Sequence, residues 1–495
     1  MIMATSVLAR PGDRVLSEVI ARVSDLACFA VLQRQGERCG WCSHPIRLVG
    51  SSVNVNTSTG EILRSYSTND EPEGVLMKAC GTRRATRCPS CASLYASDAR
   101  MLVRAGLSGG KGVPESVAQR PMVFATFTAP SFGAVHGARG TKPCRAGTNQ
   151  QPCAHGRSLT CQLRHRADDP LLGQPICPDC YDYERSVLWN ATCPELWRRT
   201  TIYVRRELAR LCCVNVKVLD QSVRLSFAKV AEFQRRGVVH LHAILRVDPR
   251  DGEGSVPHFI DAQTLTSAIR AAASKVSAPL PAGFSGMSLG STRWGRQLDV
   301  RVIDTQEIDG DASGSDESRR SSRAVANYVA KYATKSTDDL GALDRRLTSL
   351  DDLDARNVSA HFRRLVTTAW RLGALSHLTR LRTWAHSLGF GGHWLTKSRR
   401  YSVTFKFLRA ERQAWQVQRQ HGTAPNEQSI TIGAWKWIGA GWRDKGDAWL
   451  AQQGQRETMQ SRAEAREARC IERRRDADPW DGQSRHFLDF EAVRP

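Results

Sequence analysis

The chain has 495 residues, 41% of them apolar, enough for more than one domain with a buried core. Its formal net charge of +22 and pI near 9.8 point to a polyanionic partner, nucleic acid before any other. No run reaches the ~20 uninterrupted apolar residues of a membrane span, and Glu18, Arg22 and Asp25 break the only N-terminal stretch that could pass for a signal peptide. The expectation is therefore a cytoplasmic protein without a membrane partner, whose 15 cysteines favour metal over disulfides.

In chain order, residues 1–115 read as a zinc-binding region. Cys39-x-x-Cys42 and Cys88-x-x-Cys91 are two knuckles of the kind that closes a tetrahedral thiolate site, with His44 and Cys80 nearby. Residues 116–345 then alternate strand and helix patterns. Pro121 to Pro130 is rich in β-branched and aromatic residues and reads as a strand. A Cys-rich insertion over 140–185 follows, with Cys144, Cys153, His155, Cys161, His165, Cys177 and Cys180. Only Cys177-x-x-Cys180 has a diagnostic spacing, and Cys153 and Cys161 are the first choices to complete a second structural zinc site. Helical periodicity runs from Leu188 to Leu211, three strands are expected over Val214 to Val247, a helix over Ala262 to Val276, and a strand over Leu298 to Ile303. Gly310 to Ser322 reads as a loop, and Arg323 to Lys335 as a helix. This order predicts an α+β domain on an antiparallel sheet. Residues 346–451 form a basic C-terminal region, expected to be mostly helical, and 452–495 a charged tail. Lys335, and Lys397, Arg399 and Arg400 in a stretch that mixes Arg, Trp and His, are candidate DNA contacts. His386 and His393 receive no role.

Two segments carry the chemistry. In KVAEFQRRGVVHLHAILRVD, from Lys229 to Asp248, two strand-like runs flank a turn at Gln234 to Gly237. Alternation puts His240 and His242 on one face, and a turn centred on Arg236 sets Glu232 opposite His240. Two imidazoles and a carboxylate on one surface make a divalent-metal site with open positions, suited to Mn²⁺ or Mg²⁺. The second segment is NYVAKYATK, from Asn327 to Lys335. On a helix, Tyr328, Tyr332, Lys331 and Lys335 fall in one arc about 100° wide. A phenol with a pKa near 10 is a poor nucleophile, and neighbouring cations and a metal-polarised phosphate make its attack easier.

This order, a strand, then His-Leu-His, then Tyr-x-x-Lys, resembles the HUH endonuclease superfamily of rolling-circle initiators, relaxases and certain transposases. Longer blocks, TAPSFGAVH (Thr128–His136), CPDCYDYERSVLWN (Cys177–Asn190), EFQRRGVVHLHAI (Glu232–Ile244), NYVAKYATK (Asn327–Lys335) and GGHWLTKSRRYSVTF (Gly391–Phe405), are similar to RepSA-like replication initiators of actinomycete plasmids and integrative elements. The resemblance implies an HUH-type antiparallel sheet with flanking helices, beside the Cys-rich zinc modules. It implies a metal held by His240, His242 and Glu232, nicking by Tyr328, phosphate contact by Lys331, and either a second nucleophilic role or a packing role for Tyr332. The implied activity is nicking and rejoining of origin DNA through a phosphotyrosine link. With no Walker-type loop in the sequence, a host helicase would unwind the duplex and a host polymerase would extend the 3′ end. A relaxase would carry three clustered histidines and an N-terminal tyrosine, which this sequence lacks. A transposase, or a zinc-dependent DNA-binding regulator without nuclease activity, are the other readings.

Overall fold

The computed structural model describes residues 12–147, 151–304, 319–334, 343, 346–354, 358–421 and 429–477. The chain divides into two compact units, one built from residues 1–94 with 423–495, the other from 95–422. Both mix helices with sheets that are antiparallel almost throughout.

In the first unit the strand Ile46–Asn56 is central. It pairs antiparallel with Ser429–Ala440 along its whole length and with the shorter strands Ile62–Ser67 and Leu76–Lys78. The C-terminal region, expected to be mostly helical, thus supplies a 12-residue strand. Ile430, Ile432, Trp435 and Trp437 of that strand are exposed, so no one-sided burial marked it in the sequence. The helix Lys445–Ala477 takes up the first part of the expected tail. Near its start Asp447 is buried in a bidentate pair with Arg22, at 2.7 and 2.6 Å.

The second unit is organised by a six-stranded sheet. Its strands are β1 (Met122–Phe127), β2 (Val223–Phe233), β3 (Val239–Pro249), β4 (Leu298–Asp304), β5 (Arg319–Ser321) and β6 (Leu395–Lys397). Their spatial order is β5-β4-β1-β3-β2-β6, antiparallel except for the β5–β4 edge. Side chains alternate between the faces of these strands. Val123, Ala125 and Phe127 of β1 and Leu241, Ala243 and Leu245 of β3 face one core, covered by α1 (Tyr183–Leu211) and α2 (Ala262–Lys275). Phe124 of β1, Ala228 and Val230 of β2 and Ile244 of β3 face the other, covered by Val325, Val329 and Ala330 of α3 (Ser322–Thr334).

One expected strand is replaced. The segment after Val214 forms a short helix, Val216–Ser222, and only then the two long strands β2 and β3. Asn215 caps that helix by accepting from the Lys217 N–H, a local bond that outweighs the β-branched valines around it. Of the loop expected over Gly310 to Ser322, residues 310–318 lie outside the described set, whereas 319–321 form β5 and Ser322 begins α3.

Candidate active site

The turn between β2 and β3 decides what faces what. Gly237 closes it with φ 78° and an N–H bond of 2.8 Å to the Gln234 carbonyl. A Cβ there would sit 2.3 Å from a Leu365 methyl, so glycine is required by packing as well as by backbone. Three buried side chains then grip the turn. Asn190 of α1 donates to the carbonyls of Gly237 and Leu388, both at 2.9 Å, and accepts from the Val239 N–H at 2.9 Å. The Tyr181 hydroxyl donates to the Arg236 carbonyl at 3.2 Å, and His361 reaches the same oxygen through Nε2 at 3.1 Å. Burial pushes the His361 imidazole down to about 4, so it is neutral: Nε2–H donates to Arg236 and Nδ1 accepts from Tyr183 at 3.1 Å. The hairpin tip is therefore rigid.

With that register, Glu232 pairs with His240 and Val230 with His242. Three ligand atoms converge. His240 Nε2 lies 2.9 Å from His242 Nε2, which lies 3.1 Å from Glu232 Oε2. Neighbouring ligands of an octahedral ion at a bond length of 2.0–2.1 Å stand about 2.9 Å apart. Both spacings about His242 Nε2 match edges of such an octahedron, and three protein ligands leave positions for water or substrate. Burial, with His242 and Arg236 close by, pushes the His240 imidazole down to about 3, leaving it neutral with a lone pair to offer. These residues could hold a divalent cation.

The helix α3 brings its tyrosine to the same face. Tyr328 Oη lies 3.4 Å from His242 Nε2, and its ring meets His242 edge-on with centroids 4.9 Å apart. Phe124 of β1 fixes both rings, stacking on His242 at 5.9 Å and meeting Tyr328 edge-on at 5.5 Å. Lys331 is exposed one helical turn further on. The side chain of Tyr332, and all of Lys335, lie outside the described residues.

Two side chains touching the site had no signal of their own in the sequence. Thr126 Oγ1 lies 3.1 Å from His242 Nδ1, and Gln234 Nε2 3.4 Å from His240 Nδ1. Each occupies the outer nitrogen of one imidazole and leaves Nε2 pointing inward. Thr126 could have been found only by knowing that β1 pairs with β3 in the register Thr126–His242.

The groups of side chains elsewhere that could hold a metal are composed differently from those the spacing suggested. Cys42, Cys88 and Cys91 gather with Cys80, not Cys39. Cys39 ends the helix Leu26–Cys39, and its thiol turns back to the Gly36 carbonyl at 3.5 Å. Cys42 lies beyond the left-handed Gly40 and points the other way, 3.8 Å from Cys88 and 3.7 Å from Cys91. In the insertion, Cys153, Cys177 and Cys180 gather with His155, while Cys161 belongs to a separate group with His136, Cys144 and His165. Lys397 does not present its charge outward. Its ammonium donates to the carbonyls of Ser398, Arg399 and Ser402, and burial lowers its pKa. Arg399 and Arg400 are exposed, the latter donating to the Arg250 carbonyl at 3.3 Å.

The model of the family described as RepSA, replication initiator protein, pSAM2, matches residues 28–456, a span that holds every one of these groups. The chain belongs to the RepSA replication initiator family. A replication initiator protein of Streptomyces ambofaciens is 40% identical over 459 residues, covering 91% of this chain and 95% of that protein. No solved structure matches the chain. The RepSA match covers the second unit, 95–422, whole, and begins and ends in the first, within the helices Leu26–Cys39 and Lys445–Ala477. No helix among the described residues is long and apolar enough to cross a membrane.

Proposed function

We propose that this RepSA-family chain initiates rolling-circle replication as an HUH-type, metal-dependent endonuclease that nicks and rejoins origin DNA through Tyr328. The observation that carries this reading is the meeting of Tyr328 Oη with His242 Nε2 at 3.4 Å, beside the convergent His240 and Glu232. A phenol, two imidazoles and a carboxylate converge on one face of the sheet. The net charge of +22 supplies the long-range attraction for DNA. A cleft of about 720 Å³ opens beside the hairpin turn, lined in part by Gln234, Arg235, Arg296 and Gln297, donors suited to a phosphate backbone.

When bound, Mn²⁺ or Mg²⁺ supplies positive charge that holds and polarises the scissile phosphate. Holding the ion through the His242 Nε2 lone pair would leave that ring's proton on Nδ1, from which it would donate a hydrogen bond to Thr126 Oγ1. The Tyr328 oxygen would attack phosphorus as its proton passes to water, the bond from phosphorus to the 3′ oxygen would break, and that oxygen would take up a proton from water. The products are a 5′-phosphotyrosine and a free 3′ hydroxyl for a host polymerase. One phosphodiester replaces another, so the joining reaction runs back through the same atoms without a nucleotide cofactor, and a host helicase opens the duplex. Lys331 stabilises negative charge near the phenol and the phosphate. Zinc at Cys42, Cys80, Cys88 and Cys91 is a structural ion in this reading. The sulfur pairs Cys80–Cys91, Cys42–Cys88 and Cys42–Cys91 lie 3.7–3.8 Å apart, and a tetrahedral zinc thiolate site requires about 3.8 Å.

The deciding experiment incubates the full chain with Mn²⁺ and supercoiled DNA carrying its origin, then digests the products and maps any nucleotide-bearing peptide. A 5′-linked adduct on the peptide holding Tyr328 is the expected result. Origin binding without any covalent adduct would leave a DNA-binding regulator instead. A second measurement addresses the metal. Thr126→Val removes the partner of His242 Nδ1 while keeping the shape, and is expected to weaken Mn²⁺ binding about 10- to 100-fold by calorimetry. An unchanged affinity would mean that the imidazole needs no such support.

A further inference from the structure

Between Phe127 and Tyr183 the described residues form no helix or strand, only isolated bridges such as Val135–Pro175 and Arg145–Cys161. The buried apolar side chains of this stretch are Ala129, Pro175, Tyr181 and three cysteines, Cys144, Cys161 and Cys177, with Phe132 and Val135 partly buried against the main core. So little apolar burial does not offset the entropy of ordering the chain, and small folds of this kind rely on crosslinks. The cysteines here are free thiols. They stand instead in two tetrads with histidines, and within each the ligand atoms all lie within 4.8 Å of one another.

The order of the ligands along the chain is the informative part. They fall into four successive pairs: His136 and Cys144, Cys153 and His155, Cys161 and His165, Cys177 and Cys180. The first pair gathers with the third, and the second with the fourth. We infer that the insertion is a cross-braced module holding two structural zinc ions, one on His136, Cys144, Cys161 and His165, the other on Cys153, His155, Cys177 and Cys180. Such interleaving ties the chain to itself at both sites, so neither ion can leave without loosening the loop that frames the other.

The local geometry fits zinc. His136 Nδ1 lies 3.0 Å from His165 Nε2, which lies 3.5 Å from Cys161 Sγ, and Cys144 Sγ lies 3.9 Å from His136 Nδ1. In the second tetrad His155 Nδ1 lies 3.3 Å from Cys180 Sγ and 3.9 Å from Cys177 Sγ. Tetrahedral zinc with these ligands has edges of roughly 3.3–3.8 Å, and the observed spacings of 3.0–3.9 Å scatter about that range. Supporting bonds are in place around the first tetrad. Asp169 Oδ2 holds His165 Nδ1 at 2.6 Å, which aims Nε2 at the ion, and the Gly137 N–H donates to Cys144 Sγ at 3.2 Å. Four protein ligands leave no open position, so the role is architectural.

The module is a splint for the hairpin turn. Arg235 donates to the carbonyls of Ala167 at 2.7 Å and Asp169 at 3.3 Å, and Tyr181 closes the module onto Arg236. Asp169 thus links the first ion's histidine to the turn that leads into His240. This assignment does not depend on the nuclease reading, since metal content and ligand pairing are measured without DNA.

The test counts zinc in full-length protein and in two double variants. Cys144→Ser with Cys161→Ser takes both cysteines from one tetrad and is expected to lose one zinc per chain. Cys144→Ser with Cys153→Ser takes one from each and is expected to lose two. Pairing of neighbours along the chain gives the reverse result and would overturn the inference, as would equal loss in both. Should either variant fail to fold, stepwise stripping of the unaltered protein with a chelator, followed by alkylation and mass spectrometry, gives the same information. Cys144 and Cys161 are expected to become reactive as one set, and Cys153, Cys177 and Cys180 as another; any other grouping overturns it. Faster amide exchange across Val238 to Leu241 after loss of the first set alone is the expected mark of the splint, and unchanged exchange there would refute that role.

Discussion

Replacing Tyr328 by Phe is expected to abolish nicking, with a loss on the order of 10⁴- to 10⁶-fold, while leaving the fold and origin binding in place. The size follows from removing the nucleophile itself: without the phenolic oxygen no covalent link forms, and what remains is catalysis by binding and charge alone. The fold survives because Phe keeps the ring that meets Phe124 at 5.5 Å and His242 at 4.9 Å. The contact from Oη to His242 disappears, worth about 0.5–1.5 kcal/mol. The measurement is conversion of supercoiled origin DNA to nicked circles with Mn²⁺, beside a gel-shift titration on the same DNA. Full nicking by the variant would assign the chemistry elsewhere, with Tyr332 the first alternative.

Asp248→Ala is expected to destabilise the second unit by about 3–5 kcal/mol, the usual cost of orphaning a buried charge. Asp248 is fully buried at the far end of β3, on the same face as the candidate site. It accepts from Arg246 Nε at 2.6 Å and Nη2 at 3.0 Å, and from Arg120 Nη1 at 2.9 Å. Arg246 also donates to the carbonyls of Gly106 and Tyr401 and stacks over the Tyr401 ring. Removal of the carboxylate leaves these guanidinium groups buried without their anion. Burial opposes the charge on Asp248, but the bonds from Arg246 and Arg120 win and hold its pKa below the ordinary carboxylate range. That direction sets the pH dependence. The stabilisation is complete above about pH 4, the unfolded value, and fades as pH falls through the depressed folded value. Denaturant midpoints of parent and variant should therefore stand apart at neutral pH and approach each other in acid. A constant gap across that range would show that the carboxylate's charge is not what stabilises the strand.

What the sequence determined by itself was local. Alternation in VVHLHAILRV and the single glycine after Arg236 suffice to place Glu232 opposite His240, because register follows from turn position and a period of two. Helical spacing likewise sufficed for α3, whose apolar residues recur every three or four positions from Val325 to Val329 and Ala330. What only tertiary structure decided was every pairing between distant segments. Thr126 reaches His242 across two strands 116 residues apart in the chain, and Asn190 grips a turn from another layer. The strand Ser429–Ala440 finds its partner at the opposite end of the chain. The cysteines make the same point most plainly. A Cys-x-x-Cys spacing says that two thiols can meet one ion, but not which other segment brings the remaining ligands. Cys80, not Cys39, gathers with Cys42, Cys88 and Cys91, and Cys161 stands in a different group from Cys153, because which thiols meet depends on which way each leaves its backbone after folding.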